Sequence, residues 1–292
     1  MVELEYWHVD VFSRHAFQGN GLVVVRDEVG LSTAQQQQIT REVRQFETVF
    51  VSAVDLAGRT ARLRIFTEDE ELGFAGHPLL GTAAVLHTEL AAATAEQTWT
   101  LKLSERNVTV RTRGRDGWVD ASMDQGEPDF GKVVTGELAG RYRRALGLPP
   151  AAGHPDLPMQ VVSTGLPYLI VPVPTLDLAA AHIATADFEA MLAECGAKFV
   201  YVLDPATPEG RTWDNAGRVE DIATGSAAGP AAAYLIHHGV HPADAPLQLA
   251  QGRFTGRPST IAVRREPNDG HLWVGGPVAP VARGRFHALP PA

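Results

Sequence analysis

Gly73-Phe74-Ala75-Gly76-His77-Pro78-Leu79-Leu80-Gly81-Thr82 runs into Ala83-Ala84-Val85-Leu86, and this stretch decides the fold. A glycine-flanked turn opens a small-residue, apolar segment of helical length. A second such stretch stands about half the chain further on: Glu220-Asp221-Ile222-Ala223-Thr224-Gly225-Ser226-Ala227-Ala228-Gly229-Pro230, then Ala231-Ala232-Ala233-Tyr234-Leu235-Ile236. Two copies at that distance indicate an internal duplication rather than a solenoid. The first backbone N–H groups of a helix have no partner within it, so each start is suited to a carboxylate or phosphate. Two such starts facing each other predict a pocket for a small acid between two domains.

The flanks repeat as well. Phe17-Gln18-Gly19-Asn20-Gly21-Leu22-Val23-Val24-Val25 is a glycine turn into an apolar strand, and Ser163-Thr164-Gly165-Leu166-Pro167-Tyr168-Leu169-Ile170-Val171 is another. A short helix follows each. The first spans Ser32 to Arg44, where Ser32 and Gln35 have capping-box spacing. The second spans Thr185 to Glu194. Then come the strands Glu47-Thr48-Val49-Phe50-Val51 and Lys198-Phe199-Val200-Tyr201-Val202-Leu203.

Several of these pieces carry a resemblance. Val9-Asp10-Val11-Phe12 with Gly19-Asn20, the Glu47 strand, Gly76-His77-Pro78, Thr224-Gly225-Ser226-Ala227, and Gln251-Gly252 with Gly256-Arg257-Pro258-Ser259 resemble the PhzF-like isomerase family, in order along nearly the whole chain. The family's fold is that of diaminopimelate epimerase. The resemblance therefore implies an α/β protein of two pseudo-symmetric domains. Each would be a curved sheet or barrel around a central apolar helix, Gly76 to Glu89 and Gly225 to His238. It also implies a homodimer. Two departures touch the expected pocket. Ile222 stands where the family usually has Pro, and Arg44-Gln45-Phe46 where it often has Asn-Leu-Ser. They leave the substrate open to a wider class than the namesake's cyclic dihydro-hydroxyanthranilate.

Size and composition agree with an enzyme of two domains. The chain has 292 residues, 45% hydrophobic and 20% charged, enough for full cores. The expected domains are 1–124, completed on the family's fold by a last strand at 278–288, and 132–277. The polar, turn-rich segment Asp124-Gln125-Gly126-Glu127-Pro128-Asp129-Phe130-Gly131 marks the boundary. Strands are expected at His271 to Val274 and again at Val278 to Arg283. A formal net charge of -9 argues against nucleic acid and anionic membrane surfaces as partners. Glu3, Glu5 and Asp10 interrupt any signal pattern, and no apolar run reaches the ~20 residues of a membrane helix. The expected compartment is the cytoplasm.

Glu47 sits at the start of an apolar strand. It reads either as a solvated strand-end carboxylate or as an acid/base group. Walls such as Phe46, Val49 and Phe50 would favour its neutral form by desolvation, letting it take and return a proton. The resemblance places the family's catalytic carboxylate at Glu47. His77 reads as a helix-start polar residue or as a second group facing substrate. Asp221 beside a glycine turn commonly only shapes the loop. The resemblance assigns it, with Ser226, to binding or orienting substrate. Gly76, Gly225 and Ser226 would offer N–H groups to the substrate carboxylate.

Other chemistries lack support. Gly76-x-x-x-x-Gly81-Thr82 has no lysine where a phosphate loop needs one, and no dinucleotide glycine motif follows a strand. His237, His238 and His241 cluster at a helix end, where histidine suits the dipole, without a carboxylate or cysteine to complete a metal site. Lys102, Lys132 and Lys198 lie outside any glycine-rich phosphate setting, which speaks against pyridoxal chemistry. One cysteine, Cys195, rules out an internal disulfide and a two-thiol racemisation. The expectation is thus an isomerase without metal or cofactor, acting on a small carboxylic acid. The alternative is a binding protein that keeps the fold and holds a small acid without turning it over.

Overall fold

A computed structural model describes residues 4–90, 95–149 and 151–291. The chain divides into two compact units, Met1–Asp124 with Gly275–Ala292, and Gln125–Val274.

The first unit opens with β1 (Leu4–Val11) and β2 (Asn20–Arg26), an antiparallel pair. Helix α1 (Thr33–Val43) then crosses over to β3 (Glu47–Asp55), which lies parallel to β2, as a parallel neighbour requires a crossover. The Ser32 hydroxyl accepts from the Gln35 N–H, and the Gln35 side chain returns to the Ser32 N–H, completing the capping box. After β4 (Thr60–Phe66) and β5 (Glu71–Leu72) comes α2 (Gly76–Thr88), which carries the chain to β6 (Glu96–Lys102), parallel to β4. The hairpin strands β7 (Asn107–Gly114) and β8 (Val119–Asp124) follow. Every residue of α2 from Gly76 to His87 is buried. It packs on β1, β2, β3, β6, β7 and β8. Gly81 makes the close approach possible: a Cβ there would lie 2.4 Å from Leu22 Cδ2.

The second unit repeats this wiring. It contains β9 (Asp129–Val134), α3 (Gly136–Ala145), β10 (Met159–Ser163) and β11 (Pro167–Pro172). The helices α4 (Thr175–Leu178) and α5 (Phe188–Cys195) lead to β12 (Phe199–Asp204), parallel to β11. The expected helix from Thr185 therefore starts three residues later. Next come β13 (Glu209–Arg211), α6 (Gly225–His237) and β14 (Leu247–Gln251), with β13 and β14 parallel. The last strands are β15 (Ser259–Arg265) and β16 (Leu272–Phe286), of which only the part up to Val274 belongs to this unit. Helix α6 packs on β10, β11, β12, β14 and β15.

The expectation of one curved sheet or barrel per domain is corrected. The strands belong to a single sixteen-stranded sheet, not a pair of barrels, and its order in the second unit, β15-β14-β13-β12-β11-β10-β9, ends at β9. Each core helix is only 13 residues long. The physical cause is visible in β16. The sequence reads as two strands broken by Gly275-Gly276-Pro277, yet the backbone stays extended for 15 residues. Its register with β1 shifts between His8 and Val9, where Val281 is the extra residue, past that glycine-proline break. What stands is a two-domain α/β fold.

Among the described residues no helix is long and apolar enough to cross a membrane.

Candidate active site

In the first unit the structure brings Glu47 and His77 together. Glu47 is the first residue of β3, and His77 is the second residue of α2. His77 Nε2 lies 3.2 Å from Glu47 Oε2, without the alignment of a hydrogen bond. Both side chains are buried, each residue 6% exposed. Burial pushes the imidazole down from its ordinary value to about 3. At that value the ring is uncharged at neutral pH, so the contact is not an ion pair.

Strand alternation sets what surrounds Glu47. Side chains two apart share a face. Glu47 therefore shares its face with Val49, towards α2. Phe50 lies in the cluster of Leu4, Val23, Val25, Leu31 and Ile39, towards α1. Phe46 is 49% exposed. Of the three walls expected from sequence, only Val49 is placed on the carboxylate's side of the strand.

Sequence reasoning passed over a polar group around Gly21 on β2. A Cβ on Gly21 would lie 2.6 Å from Gln45 Oε1 and 3.6 Å from both Asp10 Oδ1 and His8 Nε2. Gly21 adjoins Leu22, the register partner of Glu47. The backbone N–H of Phe17 donates to Asp10 Oδ2 at 2.5 Å. A buried aspartate in the apolar strand Val9-Asp10-Val11 was the available signal.

In the second unit the expected residues cluster at the start of α6. Thr224 is the N-cap, and Gly225 and Ser226 are the first two helical residues. Intrahelical donation begins with Ala227 and Ala228, both to the Thr224 carbonyl, so the Gly225 and Ser226 N–H groups precede the ladder. Asp221 Oδ2 accepts from the Thr224 hydroxyl at 2.5 Å, and Asp221 Oδ1 from the Ala223 N–H at 3.3 Å. The Ser226 hydroxyl pairs with the Tyr168 hydroxyl at 2.8 Å. Gln125 Nε2 donates to the Gly225 carbonyl at 2.9 Å. Burial pushes the Tyr168 and Tyr201 hydroxyls well up, so both stay protonated at physiological pH. Gly76 opens α2 as Gly225 opens α6, but its N-cap, Ala75, has no side chain that can bond.

The histidines at the end of α6 have other partners. His237 stacks on Phe130 with centroids 4.4 Å apart, His238 Nε2 meets Gln160 Oε1 at 3.0 Å, and His241 Nε2 meets the Ala245 carbonyl at 3.1 Å. Among the described residues no three His, Cys, Asp or Glu side chains are placed to hold a metal. Cys195 is buried in α5, with Sγ 3.1 Å from the Leu192 carbonyl.

Comparison with known proteins gives a consistent picture. The family model described as PhzC-PhzF, phenazine biosynthesis-like protein, matches residues 9–284. The trans-2,3-dihydro-3-hydroxyanthranilate isomerase of Pseudomonas fluorescens is 34% identical, over 89% of this chain and 90% of that protein. A solved Pseudomonas aeruginosa structure described as a predicted epimerase is 46% identical, with a TM-score of 0.88 over 97% of this chain and 99% of that one. The Bacillus anthracis phenazine biosynthesis protein of the PhzF family, 24% identical, shares the fold with a TM-score of 0.83 over 99% and 100% of the two chains.

Proposed function

From a chain that belongs to the phenazine biosynthesis-like PhzC-PhzF family and is an isomerase of that family, we propose the following reaction. It moves a proton, and with it a double bond, within a small carboxylic acid, and needs no cofactor. The observation that carries this reading is the buried Glu47 carboxylate set 3.2 Å from a neutral imidazole. A neutral ring does not cancel the carboxylate's charge, so Glu47 can act as a base towards carbon and return the proton to another carbon. His77 orients the carboxylate and polarises substrate.

The Gly225 and Ser226 N–H groups at the start of α6 are suited to hold the acid group, with Asp221 orienting substrate as an acceptor, and the Gly76 N–H at the start of α2 is a donor of the same kind within its own unit. The Pseudomonas fluorescens relative acts, by its name, on a dihydro-hydroxyanthranilate. That supports a cyclic or unsaturated small acid as the substrate class, in a secondary-metabolite route. Ile222 and the exposed Phe46 make this chain's preference its own. Epimerisation by a thiol pair is closed to a protein with one buried cysteine.

The test is solvent-deuterium uptake into candidate acids, followed by NMR. Exchange or a shifted double bond by the wild type, lost in Glu47→Gln, supports the proposal. Binding without exchange would make the protein a non-catalytic acid binder. An active Glu47→Gln with an inactive Asp221→Asn would move proton transfer to Asp221.

A further inference from the structure

Gln251 ends β14 and is 1% exposed. Its Oε1 accepts from the Tyr201 hydroxyl at 3.1 Å and from the Thr224 backbone N–H at 3.2 Å. Its Nε2 donates to the Asp221 carbonyl at 2.9 Å and to Thr224 Oγ1 at 2.9 Å. A side-chain amide has two acceptor sites and two donors, so its capacity is filled. The orientation is forced. The flipped amide would set NH₂ against the Thr224 N–H and oxygen against the Asp221 carbonyl.

That orientation fixes the next link. Thr224 Oγ1 receives a proton from Gln251, so its own proton is free to donate, and it goes to Asp221 Oδ2 at 2.5 Å. Each step, Tyr201 apart, passes a donor towards Asp221. Gly252 adds a steric hold: with φ +86°, a Cβ there would lie 2.6 Å from the Ile222 carbonyl oxygen. Two consecutive residues at one strand end thus grip the turn from Asp221 to Thr224.

We propose that Gln251 is a positioning residue for the isomerase, acting through Thr224 to hold the Asp221 carboxylate as a fixed hydrogen-bond acceptor. The proposal rests on the reading that Asp221 orients substrate. A charge-assisted bond from Thr224 favours the ionised carboxylate, and a filled amide allows no alternative rotamer of the hydroxyl. Tyr168 on β11 and Tyr201 on β12 both feel the charge of Asp221. Glu209 and Glu220 lie further out, each held by an arginine at 2.6 Å, Arg253 and Arg211 respectively.

The experiment is an NMR titration of carboxyl-labelled aspartates in the full chain, which needs no substrate, run beside the pH dependence of kcat/KM. Gln251→Glu keeps the side-chain shape, removes both donors and adds a charge. It should raise the Asp221 midpoint by about one pH unit or more and move the acid limb of kcat/KM with it. Thr224→Val should raise the midpoint without adding a charge, and Thr224→Ser should restore it. An Asp221 midpoint unchanged in Thr224→Val, with the native amide spectrum kept, overturns the proposal even where Gln251→Glu fails to fold. A raised midpoint together with a fully active Asp221→Asn overturns the underlying reading of Asp221, and with it the catalytic meaning of the grip.

Discussion

The starts of α2 and α6 share one sequence pattern and differ in their surroundings. At α2 the N-cap is Ala75, which offers no side-chain bond, and the nearby chemistry is a titratable pair, Glu47 with His77. At α6 the hydroxyls and amides of Thr224, Ser226, Tyr168 and Gln251 are all engaged in short hydrogen bonds. A group that exchanges protons with carbon has to change its bonding during turnover. A group that holds a carboxylate works best already fixed, because preorganised donors need no rearrangement when charge develops. On the proposed reading, the same helix-start geometry would serve proton transfer in one unit and binding in the other.

The comparison breaks most sharply at Glu47. Glu47→Gln keeps size and hydrogen-bonding but cannot take a proton from carbon. Turnover and deuterium incorporation should both fall by about a hundredfold or more, the usual weight of a positioned acid/base group. The dissociation constant for the acid should change far less. A variant that loses binding and turnover together would assign Glu47 to holding the substrate, and the contrast between the two helix starts would collapse.

His77 gives the next effect, and it is one of stability. Burial lowers the native imidazole to about 3, while the unfolded chain protonates it below about 6.5. Between those values the unfolded state binds more protons, so stability rises with pH across that window and is lost as pH falls from about 6.5 towards about 3. The contribution at the acid end is on the order of a few kcal/mol. Urea unfolding at pH 7.5 and at pH 4.5 should show a smaller acid loss for His77→Gln than for the wild type. Parallel losses in the two proteins would mean the imidazole is not kept neutral by the fold.

Much of this contrast was legible before any coordinates, and the reasons are local. A glycine turn followed by a run of small apolar residues fixes a buried helix start, and both helices begin at the expected glycines. The Ser32 and Gln35 spacing is itself the capping box. The catalytic reading of Glu47 followed from family resemblance, whereas the residues alone favoured a strand-end carboxylate, and its pairing with His77 appears only in the structure. What stayed hidden depends on distance in sequence or on balance between neighbours. Gln251 stands far along the chain from Asp221, so no window contains the network. Gly275-Gly276-Pro277 carries a breaker signal, and only the folded chain shows that β16 runs through it. Phe46 and Phe50 look like walls around Glu47 until strand alternation sends them elsewhere.

A smaller effect separates the two helices by what they pack against. Gly81→Ala would place a Cβ 2.4 Å from Leu22 Cδ2 and 3.0 Å from Val11 Cγ2, both in the apolar core. Overpacking of this kind costs about 1–3 kcal/mol, offset by roughly 1 kcal/mol of helix propensity gained over glycine. The net loss should be about 1 kcal/mol, read as a lower thermal midpoint with acid binding retained. Gly229→Ala instead meets Gln125 Oε1 at 2.3 Å and Thr164 Oγ1 at 2.8 Å. It disturbs the amide that bonds the Gly225 carbonyl. Its expected signature is weaker acid binding as well as a lower midpoint. Identical behaviour of the two alanine variants would show that the polar setting of α6 is only structural.

The smallest effect should come from Ser226. Ser226→Ala removes one hydroxyl and leaves the backbone N–H at the second helical position untouched. If the acid is held by backbone donors, its dissociation constant should rise only several-fold and kcat should stay within a factor of about two, since a single neutral hydrogen bond is worth about 0.5–1.5 kcal/mol. The buried Tyr168 hydroxyl, 2.8 Å from Ser226 Oγ, would lose its partner, so stability should drop by about 1 kcal/mol. Ser226→Ala in the Tyr168→Phe background separates these two consequences. There the orphaned hydroxyl is gone, the stability loss should largely vanish, and the modest loss of affinity should remain. An affinity loss that disappears with the tyrosine hydroxyl would instead show that Ser226 acts by holding Tyr168, and the binding role at α6 would then rest on Gly225 alone.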